Sequence, residues 1–466
     1  MATYKVARLK GGRIMHRVAV LAVSVLAAVS LVRAIGLVRR AADVVDPSTS
    51  SVQTPRPVLR AGRALWSTIA DAARKADLAH VPEFSIDLAG DPGCQFARVP
   101  HPWVFAVAMS PEAIERARWQ WHTFLDNVPR TAPDALLRGG RGIVMSGGRL
   151  QHLHTAVITI TRLRQLGCDL PIELWFLGDE MPGQSLIAYF ARLRVAVRCM
   201  CDVDGGQGAG VDLGFVHADK RFQIKSMALV MSAFRDILFL DSDNLPAADP
   251  TYLFDHVAYR RTGAMFWPDY WACNTHAAYW EILDLHPETS DGRGTFETGQ
   301  MLVDKARHWQ AMMLALEMNL QAGLHYNLGT GGHRCGGGDK ETFPAAFDAL
   351  GHSYHKVGRQ PDFLGRFQPG GGFEGTAIVQ YDPDMAKVAF LHANTFKFSP
   401  DGLLGGERRR WTVDEARKLL GRDDGDLEKE CLAIMVDFIC SREYAEHAGR
   451  AHADKCPALR AALATL

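Results

Sequence analysis

The chain has 466 residues, 52 Lys and Arg against 52 Asp and Glu, and is 47% hydrophobic with 22% charged residues. Zero formal net charge argues against a protein that grips nucleic acid, because that grip needs surplus cations facing the phosphates. The apolar content excludes a disordered chain, the length allows two or three domains or one large domain with extensions, and 43 Gly with 22 Pro suit the sharp turns of an α/β enzyme.

Residues 1–17 contain Lys5, Arg8, Lys10, Arg13 and Arg17 and read as a basic cytosolic tail. Residues 18–38 are largely apolar and interrupted by one charge, Arg33. Counted through Arg33, which can snorkel to the headgroups, the run reaches the ~20 residues that a bilayer crossing needs. The basic flank keeps the N-terminus in the cytosol, so the expectation is a single-pass signal anchor with the body in the lumen. A signal peptide cleaved near Val32 and Ala34 is the alternative, followed by a mitochondrial leader.

Residues 39–62, rich in Pro, Ser and Thr, read as a stem. Residues 63–135 read as a helical extension, with Ser110 an N-cap and Pro111 the first helical position. Cys431, Cys440 and Cys456 in the tail could supply a bridge, whereas Cys199 and Cys201 stand too close for an easy mutual one. No zinc-ligand spacing accompanies them.

From Gly139 the pattern sharpens. Gly142 to Met145 is a short buried strand, and Ser146-Gly147-Gly148 a tight turn. Leu153, Val157, Ile160, Leu163 and Leu166 recur at helical spacing up to Gly167, and Ile172 to Leu177 is a second strand. This βαβ unit makes the strands parallel. Phe222 to Phe234 reads as the next helix, and Ile237-Leu238-Phe239-Leu240 as a strand buried on both faces. Open parallel sheets bind ligands beyond the carboxyl ends of their strands, and Asp241-Ser242-Asp243-Asn244 follows Leu240 directly.

In an extended backbone, residues two apart point the same way. Asp241 and Asp243 then face one site, Ser242 turns away, and Pro246 ends the strand. Two hard oxygen ligands with open positions suit manganese or magnesium holding a diphosphate. A solvated turn is the ordinary fate of Asp-x-Asp; the apolar strand and the βαβ unit before it favour the metal. Val388 to Leu391 is another strand, so His392 at its end can give a neutral nitrogen to the same cation, and Lys397 can meet a phosphate oxygen. Lys225, near the inward stripe of its helix, could reach the diphosphate or sugar, although an exposed helix lysine is the default. Glu297-Thr298-Gly299-Gln300 enters a strand. Gly336 to Glu341, with Asp339, opens a helix where amides and carboxylates can take sugar hydroxyls. Trp267 to Trp271 sets aromatics around Asp269, which suits a pyranose ring or plain core packing.

These segments together resemble the Golgi α-mannosyltransferases that extend and branch fungal mannan, glycosyltransferase family seventy-one. The resemblance rests on GRGIVMSGG (140–148), FQIKS (222–226), ILFLDSDNLP (237–246), TGAMFWPDYW (262–271), ETGQMLVDK (297–305), GDKETF (338–343) and FLHANTFK (390–397), in that order. It implies a GT-A-type, Rossmann-like, mostly parallel α/β sheet flanked by helices, over residues 136–400. It also implies a divalent metal, a GDP-mannose donor, a glycan acceptor, transfer with retention and a type II Golgi membrane topology. Asp241, Asp243 and His392 become the metal ligands. Gly142, Lys225 and Lys397 join the two aspartates on the donor side. A looser similarity to glycogenin-like retaining enzymes brings Lys225, Glu297, Gln300 and Asp339 to the donor sugar or acceptor, the last three as candidate catalytic groups. Ser146-Gly147-Gly148-Arg149 departs from the usual nucleotide loop, and the basic N-terminal half and the segment from Arg408 onward have no counterpart; residues 401–466 read as a further helical extension. The rival readings are a UDP-hexose transferase on the same fold, a glycan-binding relative without activity, and an Asp-x-Asp phosphohydrolase. The last usually wants Thr or Val where Leu245 stands.

Overall fold

The computed structural model describes residues 55–87, 106–203, 222–270, 275–286, 293–330, 338–368, 370–406, 409–421, 423–449 and 454–466. The expected anchor at residues 18–38, the basic tail and most of the stem lie outside the described residues. Among the described residues no helix is long and apolar enough to cross a membrane.

Helix α1 (Arg56–Lys75) begins inside the segment read as stem. Pro57 sits in its first turn, where the missing N–H costs nothing, so proline there starts a helix. Its buried face of Leu65, Trp66, Ile69, Ala72 and Ala73 packs with Trp121 and Phe124 of α2 (Pro111–Asn127). Ser110 caps α2, its hydroxyl accepting from Ala113 N at 3.2 Å. Between the two helices, β1 (Ser85–Asp87) and β2 (Ala106–Ala108) pair antiparallel, so the extension is not purely helical.

The main sheet then forms. Strands β3 (Arg141–Ser146), β4 (Ile172–Phe176) and β5 (Val195–Cys199) are joined by α3 (Leu150–Gln165) and α4 (Gln184–Arg192). Helix α5 (Gln223–Met231) precedes β6 (Asp236–Leu240). These four strands are mutually parallel in the order β6-β3-β4-β5. Strand β6 alternates between two cores, Ile237 and Phe239 facing one and Leu238 and Leu240 the other. A strand covered on both faces has to be apolar throughout, and that gives the run before Asp241 its composition.

Strand β7 (Asn244–Pro246) leaves the main sheet, and α6 (Val257–Thr262) leads back to it through β8 (Ala264–Pro268). After α7 (Ala277–Ile282) comes β9 (Phe296–Asp304), antiparallel to both β6 and β8. Helices α8 (Trp309–Leu320), α9 (Ala322–Thr330) and α10 (Thr342–Ala349) fill one face, and β10 (His355–Lys356) completes the order β10-β8-β9-β6-β3-β4-β5. Only β9 runs against the rest, as expected of a mostly parallel α/β sheet.

A second sheet of β11 (Asp362–Phe367), β12 (Phe373–Tyr381), β13 (Val388–His392) and β7 is wholly antiparallel. The C-terminal segment is helical: α11 (Pro400–Leu404), α12 (Val413–Leu420), α13 (Leu427–Ile439), α14 (Arg442–Ala448) and α15 (Cys456–Thr465). Cys440 and Cys456 are disulfide-bonded there, while Cys431 is free and buried. Cys199 and Cys201 are bonded as well, contrary to expectation. The chain bends from β5 into a 3₁₀ turn at Met200, bringing their Cα atoms to 5.0 Å, within the span a disulfide bridges.

Candidate active site

The two aspartates lie where the chain passes from the first sheet to the second. Strand β6 stops at Leu240. Asp241 N then donates to Gly299 O at 2.8 Å, and Asn244 N donates back to Asp241 O at 3.1 Å. Asp241 to Asn244 is therefore a tight turn, not the extended continuation expected from alternation. Pro246 does not end β6 but lies in β7, opposite Phe390. Ser242 does turn away: its hydroxyl accepts from Thr155 Oγ1 at 3.0 Å and its carbonyl from Thr159 Oγ1 at 2.8 Å, both on α3.

Register explains the third residue. Strands β7 and β13 pair with His392 opposite Asn244, and Ala393 N donates to Asp243 O at 3.0 Å. His392 is thus brought beside a turn roughly 150 residues earlier in the chain. Its Nε2 lies 3.2 Å from Asp243 Oδ1 and 3.9 Å from Asp241 Oδ2. One ligand atom from each of Asp241, Asp243 and His392 falls within 4.8 Å of the other two.

Strand β9 supplies the next wall. Its register against β8 slips between Phe266, opposite Met301, and Trp267, opposite Glu297, so residues 298–300 bulge toward the turn. Glu297 Oε1 accepts from Gly299 N at 2.7 Å and lies 3.4 Å from His392 Nδ1. That nitrogen is buried and has no partner of good hydrogen-bond geometry. Gln300 is fully buried, its Oε1 accepting from Asn244 Nδ2 at 2.5 Å, so it ties β9 to the turn.

Lys225, far from being the exposed helix lysine taken as default, is 5% exposed in the first turns of α5. Its Nζ donates to Thr298 O at 3.0 Å and pairs with Asp339 Oδ2 at 3.0 Å and Asp241 Oδ2 at 3.4 Å. Lys397 Nζ is 3.0 Å from Asp243 Oδ2. Gly142 is not in this group. It opens β3 at the opposite end of the strand, where an added Cβ would lie 2.4 Å from the Phe234 ring, and its missing side chain serves packing. Asp269 pairs with Lys340, both buried. Trp267 lies in the core, and Tyr270 packs on Phe363. Trp271, Gly336 and Gly337 lie outside the described residues.

Four carboxylates (Asp241, Asp243, Glu297 and Asp339) meet two ammonium groups and one imidazole in this buried space. Burial pushes Asp241 up to about 6, against Lys225 and His392. Burial acts the same way on Asp243, but His392 and Lys397 outweigh it and hold the carboxyl below its ordinary range. Burial is also outweighed at Glu297, where His392 and the Gly299 amide bring the carboxyl to about 2. The Lys225 ammonium is desolvated yet held charged by Asp241 and Asp339. The carboxylate oxygens of Asp241 and Asp243 and one imidazole nitrogen of His392 form a donor set that fits a manganese- or magnesium-type cation.

Sequence reasoning missed Thr155 and Thr159, and it gave no role to Gly299 and Asn244 within their motifs. Nothing local marks them, because each acts through a contact made across strands or between layers.

A family model described as a mannosyltransferase matches residues 140–295 and 288–382, more than half of the chain. The chain is similar to the alpha-1,2-mannosyltransferase MNN21 of Candida albicans, 31% identical over 300 residues, which cover 56% of this chain and 45% of the relative. Similarity to the alpha-1,2-mannosyltransferase MNN2 of Saccharomyces cerevisiae is 26% over 310 residues, covering 59% and 51%. The chain thus spans about half the length of the curated relatives it matches. Among solved structures, mouse xyloside xylosyltransferase 1 aligns with a TM-score of 0.31 and 14% identity over 47% of this chain and 85% of that one. The glycosyltransferase GlyE of Streptococcus pneumoniae gives 0.28 and 14% over 47% and 45%. On the extent of the family match, with its span holding the Asp241–Asp243 turn, Glu297 and Asp339, the chain belongs to this mannosyltransferase family.

Proposed function

We propose that the protein is a divalent-metal-dependent, retaining α-mannosyltransferase that moves mannose from GDP-mannose to a glycan hydroxyl. The observation that carries the reading is the convergence of Asp241, Asp243 and His392 within 4.8 Å at the carboxyl end of β6, flanked by Lys225 and Lys397. Asp241, Asp243 and His392 would hold the cation, with open positions left for the donor. When bound, such a cation supplies charge stabilisation to a diphosphate leaving group.

The remaining roles fall to the chain's own groups. Lys397, which is part-exposed beside Asp243, offers its ammonium to a phosphate oxygen. Lys225 is enclosed by Asp241, Asp339 and Thr298, and it holds the carboxylate wall of the donor pocket in place. Glu297 is turned toward His392, so we assign it to fixing the imidazole, as carboxylates behind metal-binding histidines do. Asp339 is then the carboxylate left to face the sugar or orient the acceptor. The acceptor oxygen bonds the anomeric carbon on the face from which the GDP oxygen departs, and that oxygen takes the acceptor proton, so the C1–phosphate bond breaks as the glycosidic bond forms and the configuration is retained. The basic N-terminal tail and the apolar run support reading the protein as single-pass type II with this chemistry in the lumen, and the resemblance to the mannan-branching enzymes supports the Golgi as its compartment.

Product analysis tests the reading. The full chain with manganese, GDP-mannose and a panel of mannosides is expected to form a new α-linked mannose. Transfer from UDP-hexoses but not from GDP-mannose would replace the donor assignment. Turnover in full without any divalent ion would remove the metal from it.

A further inference from the structure

We propose that Arg410 and Glu428, in the C-terminal segment beyond the family match, form a positioning clamp that sets where Lys397 presents its ammonium to the donor diphosphate. The proposal rests on the donor-site reading given above. Lys397 lies in a stretch, residues 393–399, with neither helix nor strand to fix it, and its side chain is 37% exposed. A long side chain on irregular backbone samples many rotamers, and holding it in one place costs entropy unless the backbone beneath it is fixed.

Arg410 fixes that backbone. Its Nη2 donates to Lys397 O at 2.8 Å and its Nε to Phe396 O at 3.0 Å. One planar fork thus takes two consecutive carbonyls, a geometry that an ammonium cannot reproduce. The fork is itself held. Arg410 Nη1 donates to Glu428 Oε1 at 3.0 Å, and Arg410 N lies 3.0 Å from both Glu428 carboxylate oxygens. Thr376 Oγ1 on β12 donates to Arg410 O at 2.7 Å. Phe398 lies under the guanidinium, 4.3 Å from ring centre to Cζ. Arg410 is 5% and Glu428 2% exposed.

Burying an ion pair seldom stabilises a fold more than apolar packing would, so stability alone is a weak reason for this pair. Its hydrogen bonds run instead to the two residues that carry the candidate phosphate cation. The helical tail, through Glu428 at the start of α13, thereby becomes part of the donor site.

The test measures binding of GDP in the presence of manganese by titration calorimetry, using the full chain. The variants are Lys397→Ala, Arg410→Lys and the double Arg410→Met/Glu428→Leu. The double variant replaces both charges with apolar groups, a change that buried pairs tolerate, and it keeps the experiment decisive should Arg410→Lys fold poorly. Thermal melts accompany each. Charge-assisted contacts of this kind are worth on the order of tenfold or more in affinity. GDP affinity is expected to fall at least ~10-fold in Lys397→Ala and by a similar factor in the folded Arg410 variants. Adding Lys397→Ala to the double variant is expected to weaken binding no further, because both changes remove one function. Unaltered GDP binding in the folded Arg410 variants, with Lys397→Ala weakened, would overturn the clamp and leave the donor site standing. Fully additive losses would overturn it too. Unaltered binding in Lys397→Ala would remove Lys397 from the donor site, and the clamp with it.

Discussion

Gly299 and His392 are packed so closely that a Cβ added to the glycine would lie 2.6 Å from both Nδ1 and Cε1 of the imidazole. The same methyl would come 3.1 Å from Glu297 Oε1. The bulge of β9 therefore sets the position of the ring as firmly as β13 does, and it does so by having no side chain at one residue.

Gly299→Ala tests this relationship without touching a ligand. The ring must move by several tenths of an ångström, and contacts behind a metal ligand typically change affinity 10–100-fold. Manganese binding by calorimetry is expected to weaken at least ~10-fold, with the fold retained by circular dichroism. Parental affinity in Gly299→Ala would mean that the imidazole shifts freely and is not a ligand.

Asp243 makes the shorter ion pairs of the turn's two carboxylates, with His392 at 3.2 Å on one oxygen and Lys397 at 3.0 Å on the other. Asp243→Ala is expected to leave the chain folded and lower transfer at least ~100-fold, the scale for removing a key electrostatic group. The steady-state rate with GDP-mannose checks it, beside a thermal melt. A variant that turns over at the parental rate would take this residue out of the chemistry.

Much of this was legible in the sequence, for physical reasons. The apolar runs Ile237–Leu240 and Val388–Leu391 read as buried strands, and residues that end a strand of a parallel sheet, as Asp241 does, face a crevice. Asp241 and Asp243 followed from that logic, whereas His392 ends a strand of the antiparallel sheet and meets them through its register with β7. What stayed hidden depends on register and layer contacts. Strand β7 pairs with β13, which no local pattern reveals, and this pairing turns an expected strand extension into a turn. Gln300 has a catalytic residue type, yet its side chain is tied to Asn244. Gly142, which the resemblance sets on the donor side, makes room for Phe234 instead. The spacing of Cys199 and Cys201 speaks against a mutual bridge, and the 3₁₀ turn that permits one has no mark in the sequence.

Removal of the proposed cation is expected to be visible in stability as well as in activity. A ligand that binds only the native state adds RT ln(1 + [L]/Kd), about 2.7 kcal/mol at a hundredfold excess over Kd. Chelator-treated protein is expected to lose transfer, recover it with added manganese, and show a melting temperature that climbs with manganese concentration. In Asp241→Asn/Asp243→Asn that climb should vanish. A manganese-dependent climb that survives in the double variant would locate the ion elsewhere.

Glu317 gives a prediction remote from the turn. It is wholly buried on α8, neither carboxylate oxygen has a hydrogen-bond partner, and the titratable group beside it is His325, with Nε2 at 3.8 Å. Burial raises its carboxyl from 4.5 to about 8, and burial lowers His325 from 6.5 to about 3, so both are neutral near pH 6. A raised carboxyl binds more protons folded than unfolded between those two values. Its stabilising contribution is therefore complete below pH 4.5 and is lost as pH rises through about 8. His325 works in the opposite sense, its contribution falling as pH drops from 6.5 toward 3. Glu317→Gln keeps the shape and removes only the alkaline loss. Melting curves of parent and variant are expected to lie close together at pH 5 and to separate at pH 8.5 in favour of the variant, by on the order of 2–4 kcal/mol. A gap of constant size across that range would show the Glu317 carboxyl ionising at its ordinary pH, and hence a water-filled surrounding rather than a dry one.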